Sequence, residues 1–414
     1  MTVSDQQRGE QAFRCRVQTT GRKLLEYCEA HDFAGYDPYD ALNSRLFEAL
    51  PLLNSRIPRL VLTQALKRSP INVRRLLLIP PTQNPKAFAI FIAALLQAPE
   101  LREGGTADLV RTLSEKLVAM RSDNGNYSSW GYCFPWQTRT IIVPRGSANL
   151  VCTTFVADAL LNLYDQDRDV RWLNIAFSAA EYILQELYWE QGPISSFSYP
   201  LPTSRGQCHN ANFLAAALLC RVHKYTGEPK FVEPALRAAR GSVALQHPDG
   251  SWLYGEAPTQ AWIDNFHTGY NLCALQQIGI HLGTREFEAP VRRGLDFYRK
   301  HFFTEENAPR YFHNRTYPLD IHCVAQSIIT LLAFRNIDSG NVELARAVFD
   351  WAMDHMWDER GFFYYRVLRM GTIRTPYMRW SQSWMLLALS TLLRETAAVK
   401  PGMLLDRSPA TSEI

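Results

Sequence analysis

Gln246-His-Pro-Asp-Gly-Ser-Trp-Leu-Tyr-Gly-Glu256, followed closely by Trp262-Ile-Asp-Asn-Phe-His-Thr-Gly-Tyr270, joins two helical patterns of different kinds. Before it, Lys230–Gln246 is amphipathic, as a helix wet on one side must be. After it, Asp264–Leu282 opens on a capping Asp and is apolar nearly all round, which suits a helix buried on every side. The connection between them carries more aromatic, acidic, His and Gly residues than a turn requires. The unit reads as outer helix, loop at the mouth of a site, inner helix.

That unit recurs. Apolar segments run Asn84–Leu96, Asn149–Tyr164, Asn210–Tyr225, Asp264–Leu282, Asp320–Arg335 and Trp380–Arg394, starting roughly every 60 residues, a spacing that signals an internal repeat. Amphipathic segments precede them: Gln11–His31, Thr106–Arg121, Asp169–Leu187, Lys230–Gln246, Glu286–Phe302 and Asn341–Met356. In Asp169–Leu187 the stripe is Leu173, Phe177, Ala180, Leu184 and Leu187, at helical spacing. Six such pairs predict an all-α (α/α)6 toroid, one domain over residues 11–395 with an inner and an outer ring. Residues 1–10 are expected to be disordered and 396–414 to form a flexible tail. Pro51, Pro58 and Pro70 break Leu42–Arg75 into short irregular helices. Antiparallel rings send the loops Gly35–Asp40, Gly125–Trp136, Ser196–Pro200, Asp249–Glu256, Arg310–Phe312 and Gly361–Arg366 to one rim.

The bulk composition narrows the function. A net charge of +4, from 44 basic and 40 acidic residues with no Lys/Arg block, argues against nucleic acid as a partner. The N-terminal residues lack a secretory apolar core, and no apolar run reaches the ~20 residues of a membrane span. Eight cysteines without a CxxC pair fit a reducing compartment, so a cytoplasmic protein is expected. The oligomeric state is left open.

On the rim, aromatic faces suited to sugar rings stand beside groups that bind hydroxyls or carboxylates. Trp130, Tyr132, Trp136, Asn212, Trp252, Trp262, Gln382 and Trp384 are candidate contacts for an oligosaccharide or polysaccharide. Arg139 and Arg379 are candidates to receive an anionic sugar, since the guanidinium fork matches a carboxylate. For each aromatic the competing role is packing between helix ends, and for each Arg a rim salt bridge.

The candidate acid/base set is His267, Asp264, Glu256, Asp249, Tyr254, Tyr270 and His322. Asp264 and His267, three apart at a helix start, place a carboxylate where it can orient an imidazole, although Asp264 alone reads as an N-cap. Asp249 and Glu256 offer a carboxylate pair of the glycosidic type, or simply a solvated turn. Asp320-Ile-His322 repeats the acid and imidazole, with capping as the alternative. Cys133, Cys208 and His209 resemble only loosely the zinc set of toroidal lanthionine cyclases, and neither a metal nor any other cofactor is expected.

Gly35-Tyr-Asp-Pro-Tyr-Asp40, Ser69-Pro-Ile-Asn-Val-Arg74, Trp130-Gly-Tyr132, Trp136-Gln-Thr-Arg139, Asn210-Ala-Asn212 and the opening stretch together resemble proteins of bacterial exopolysaccharide biosynthesis clusters. The resemblance spans about Tyr36 to Leu393 and implies a toroid that handles sugar or polysaccharide. It assigns no catalytic residue. The expected function is general acid/base chemistry on a glycan: hydrolysis, β-elimination or uronosyl epimerisation. Two other readings compete with it. Gln246-His-Pro-Asp-Gly-Ser-Trp252 is similar to one repeat of the triterpene cyclases, which suggests an isoprenoid cyclase, but the repeat occurs once and no Asp-x-Asp-Asp motif accompanies it. A non-catalytic glycan-binding factor would present the same rim.

Overall fold

Four of the six apolar segments are started by the caps the sequence suggests. Asn84, Asn149, Asp264 and Asp320 each turn a side-chain oxygen onto a backbone N–H of the helix that follows. The computed structural model describes residues 3–50, 55–122 and 125–397. Its α-helices in chain order are α1 (Val3–Ala30), α2 (Arg45–Glu48), α3 (Arg56–Arg68), α4 (Pro85–Gln97), α5 (Ala107–Ala119), α6 (Leu150–Asp167) and α7 (Val170–Tyr182). There follow α8 (His209–Thr226), α9 (Val232–Ala244), α10 (Asn265–Leu282), α11 (Glu288–His301), α12 (Ile321–Ala333), α13 (Gly340–Met356) and α14 (Ser383–Ala397).

The inner helices touch in a closed cycle, α4 to α6, α8, α10, α12, α14 and back to α4. Outside them α5, α7, α9, α11 and α13 each pack on the inner helix that precedes them, and α1 packs on α14. This is the (α/α)6 toroid. Inner helices pass outward through short turns: α8 and α10 stop at Gly227 and Gly283, both in the left-handed conformation that glycine adopts without steric cost. Return connections are long and all arrive at the N-terminal ends of the inner helices, on one face. Close approach inside the ring also has a price in side-chain volume: a Cβ on Gly269 of α10 would lie 2.6 Å from Thr330 Oγ1 of α12.

Several boundaries differ from expectation. α1 begins at Val3, so residues 3–10 continue the helix rather than fraying, and Glu10 is held by Arg346 of α13. At the other end α14 reaches Ala397, and the rest of the expected tail, 398–414, lies outside the described residues. The last inner segment opens with a π turn, Met378–Gln382.

The long connections contain short strands that the sequence reading took for loops: β1 (Trp136–Gln137), β2 (Ile142–Val143), β3 (Tyr188–Gln191), β4 (Ile194–Phe197), β5 (Arg310–Phe312), β6 (Arg315–Asp320), β7 (Trp357–Asp358), β8 (Phe362–Phe363), β9 (Arg366–Leu368) and β10 (Gly371–Ile373). A four-stranded antiparallel sheet in the order β10-β9-β6-β5 joins the last two connections, with Asp320 opposite Arg366. Bridges Cys208↔Gly255 and Asp264↔Phe312, and the bond from Met378 N–H to Tyr36 C=O, link the others. The rim is thereby tied loop to loop.

Candidate functional site

The first turns of the inner helices point into the axis of the ring. Phe155, Tyr199, Tyr254 and His267 keep part of their surface open to water there, although protein surrounds them. This group of half-buried side chains at the N-terminal ends of the inner helices is the pit.

On one wall of the pit His267 Nδ1 lies 2.7 Å from Asp264 Oδ2, and the Asp264 side chain is buried. Asp264 also accepts the backbone N–H of His267 at 3.0 Å and Trp262 Nε1–H at 2.8 Å. These three bonds fix the carboxylate, and the carboxylate fixes the ring with its proton on Nδ1. His267 Nε2 has no protein partner among the described residues, so in the neutral imidazole it presents a lone pair to the pit. Tyr254 leans on His267 with ring centres 4.6 Å apart, Trp262 stacks on Tyr254 at 4.5 Å, and Arg139 lies over Trp262 at 4.9 Å. That stack runs from the imidazole out to the rim.

Opposite, Tyr270 O–H and His322 Nε2 are 2.6 Å apart, and His322 Nδ1 is 3.2 Å from the carbonyl of Trp380. A carbonyl only accepts, so Nδ1 carries the proton and Nε2 accepts from the phenol. Burial, with the Lys86 and Arg379 cations nearby, pushes His322 well below the usual imidazole range. Burial pushes Tyr270 well above the usual phenol range. The pair is a neutral donor and acceptor.

The floor holds a residue outside the candidates drawn from the sequence. Lys86, in the first turn of α4, is 4% exposed. Its Nζ lies 4.2, 5.4 and 5.7 Å from the ring centres of Phe155, Trp384 and Tyr270. No hydrogen bond or ion pair reaches it from the described residues. Desolvation, helped by Arg379, brings the ammonium down to about 7. The available signal was a single lysine in Pro85-Lys-Ala-Phe-Ala-Ile-Phe-Ile92, a helix start otherwise apolar on every face. Asp37, Tyr39 and Lys67 were also missed: Lys67 Nζ bonds Tyr39 O–H at 2.6 Å, bringing α3 over the pit's edge.

Several expected site residues have other work. Arg379 has its fork filled by Asp37 (Nε–Oδ2 2.6 Å, Nη2–Oδ1 2.9 Å), and both are buried; an incoming anion would have to displace a bidentate partner. Gln382 bonds both backbone groups of Phe363, and Asn212 bonds Ser196, Phe197 N–H and Ser242. Both amides hold strands and are fully buried, out of reach of a sugar. Trp130 and Trp252 are buried in the core, with indole N–H groups on the carbonyls of Leu117 and Ser242. Asp249 and Glu256 form no pair: Asp249 folds back onto Ser251, whereas Glu256 accepts from His209 Nε2 at 2.8 Å. Asp320 is locked by Arg366, Trp380 Nε1–H and the His322 backbone. Cys208 donates to Asn210, and among the described residues no three His, Cys, Asp or Glu side chains gather as a metal site. Tyr132 and Trp136 remain at the pit wall, their rings 6.1 Å apart, with Arg379 over Tyr132 at 4.8 Å.

The double ring places the chain among proteins with the (α/α)6 toroid fold. Among solved structures it is similar to a cellobiose 2-epimerase from Bacillus thermoamylovorans, with a TM-score of 0.60 and 10% identity over 76% of this chain and 88% of that one. A GH76 α-mannanase from Bacteroides thetaiotaomicron matches with a TM-score of 0.57 and 11% identity, covering 75% and 86%. An unsaturated glucuronyl hydrolase structure with dGlcA-Glc-Rha-Glc matches at 0.56 and 15%, covering 75% and 87%. By sequence, no family model and no curated protein matches. At these identities the likeness concerns the fold.

Proposed function

We propose that this chain is a carbohydrate-active enzyme that moves a proton at a sugar carbon, in an epimerisation or β-elimination. The observation that carries the reading is the Asp264–His267 pair with Nε2 open to the pit. Such a base, oriented by a buried carboxylate, suits removal of a C–H proton next to a carbonyl or carboxyl group. Tyr270, its ring 6.0 Å from that of His267, holds its O–H on His322 Nε2, and turning that proton onto the sugar oxygen would steady the negative charge developing there. Trp136 and the edges of the Tyr254–Trp262 stack form an aromatic wall for the sugar rings, and the cleft beyond Trp262, lined by Phe312, His313 and Arg315, extends that wall for a longer chain.

Hydrolysis by a carboxylate pair fits less well. Asp37, Asp264 and Asp320 are each committed to a cation or cap, and none is left to activate water. The structural neighbours named above act on sugars, which supports this reading over an isoprenoid cyclase. A surface or exopolysaccharide glycan is the substrate that the sequence resemblance favours. Among the described residues no helix is long and apolar enough to cross a membrane, and all eight cysteines are unpaired, which supports action in the cytoplasm.

The test is His267→Ala. Turnover of an accepted oligosaccharide should fall by about 10²–10⁴-fold with binding retained. Unchanged turnover would remove His267 as the base, and binding without any product in the wild type would leave a glycan-binding protein.

A further inference from the structure

We propose that Lys86 is the seat of a carboxylate, so that the sugar bound in the pit is a uronate. This rests on the carbohydrate reading above and narrows its substrate class. The side chain is nine-tenths buried and aimed between three rings contributed by α6, α10 and α14. Both buried guanidinium groups of the pit have an anion, Arg379 in Asp37 and Arg366 in Asp320, and Lys67 at the edge has the Tyr39 oxygen. Lys86 has only aromatic faces. Beside it, Trp384 Nε1–H is a second buried donor with no acceptor among the described residues. A floor with two unmatched donors calls for a ligand group that only accepts, and a carboxylate does so with both oxygens. Phe155, Tyr270 and Trp384 touch one another around Lys86, so the pyranose ring that carries the carboxylate would rest on this aromatic cluster.

The placement suits the chemistry. A carboxylate paired with an ammonium acidifies the C–H next to it, and this C–H is the proton His267 would take. Without an anion a buried ammonium is costly, so Lys86 is partly neutral near pH 7; pairing restores its charge, and binding takes up a proton. The other groups facing it do not titrate in that range. Burial lifts the Cys152 thiol to about 12, His322 is held neutral and Tyr270 protonated, and Arg379 keeps its charge against Asp37.

The experiment is calorimetric titration of the full chain with a glucuronate-terminated disaccharide and its glucose-terminated counterpart, at pH 7.5 in buffers of different ionisation enthalpy. The uronate should bind more tightly and with net proton uptake. Lys86→Met should weaken the uronate by about 30-fold or more, abolish the uptake and affect the neutral sugar far less than the uronate. Lys86→Arg should keep part of the affinity without uptake. Equal affinity for the two sugars, or a uronate affinity that survives Lys86→Met, overturns the assignment. The outcome is separable from that of the catalytic reading. Proton transfer that depends on His267 but occurs only on neutral sugars defeats the Lys86 assignment alone, while Lys86-dependent uronate binding without proton transfer defeats the catalytic role of His267 alone.

Discussion

At the scale of single residues, the pit is a set of charges whose costs are met unevenly. Lys86 has a folded pKa of about 7 against an ordinary 10.5. Well above the ordinary value both folded and unfolded chains are neutral there. Between 10 and 7 the unfolded chain binds the proton first, so stability falls as pH falls and the loss is complete below about 7. Lys86→Met should therefore stabilise the protein by on the order of a few kcal/mol near pH 6 and hardly at all at pH 10, as read from denaturant unfolding at both values. A variant no more stable at pH 6 than at pH 10 would mean the ammonium is already compensated. His267 was legible in the sequence because Asp264 and His267 lie within one helical turn of a cap. Lys86 was not, because one lysine at a helix start usually reads as solvent-facing, and only the ring's closure around it removes that option.

Between residues and the whole stand the connections that hold each wall. The first loop clamps the last inner helix: Asp37 pairs with Arg379, and Arg74 of the segment before α4 reaches Asp40 and the Asp37 carbonyl. These buried pairs join the two ends of the chain at the rim. Asp37→Ala would leave a buried guanidinium unpaired, and a loss of about 3–5 kcal/mol is expected, read as a lowered midpoint in urea. A near-neutral effect would show that the ring closes by apolar packing alone. Asn212→Ala should cost about 1–3 kcal/mol, because it strands Ser196, Phe197 N–H and Ser242 in the core, while sparing turnover at temperatures well below unfolding. Motifs such as Asn210-Ala-Asn212 and Gly35–Asp40 stood out in the sequence, yet their work is mostly to fasten loops. Polar residues next to aromatics look alike in sequence whether they face a ligand or a neighbouring strand, and partners 16 or 342 positions away decide between the two.

At the scale of the molecule, the repeat of capped apolar segments near every 60 residues carried most of the architecture, since a helix without a wet face has to lie inside a ring of others. What it could not carry was the short strands of two to six residues, most of them local hairpins, with β6 and β9 pairing across two connections. Those strands decide which loop residues turn inward. The resulting pit brings together His267, Tyr270, His322 and Lys86 from α10, α12 and α4, and turns Asp249 and Glu256 aside. The central claim is that this pit exchanges a proton on a sugar carbon. Proton NMR of a glucuronate-terminated disaccharide incubated with the wild-type chain in D2O tests it most directly. One sugar C–H signal should be lost as deuterium enters from solvent, and His267→Ala should retain it. Disaccharide that binds, is cleaved by water or stays intact, and keeps every C–H proton would contradict it.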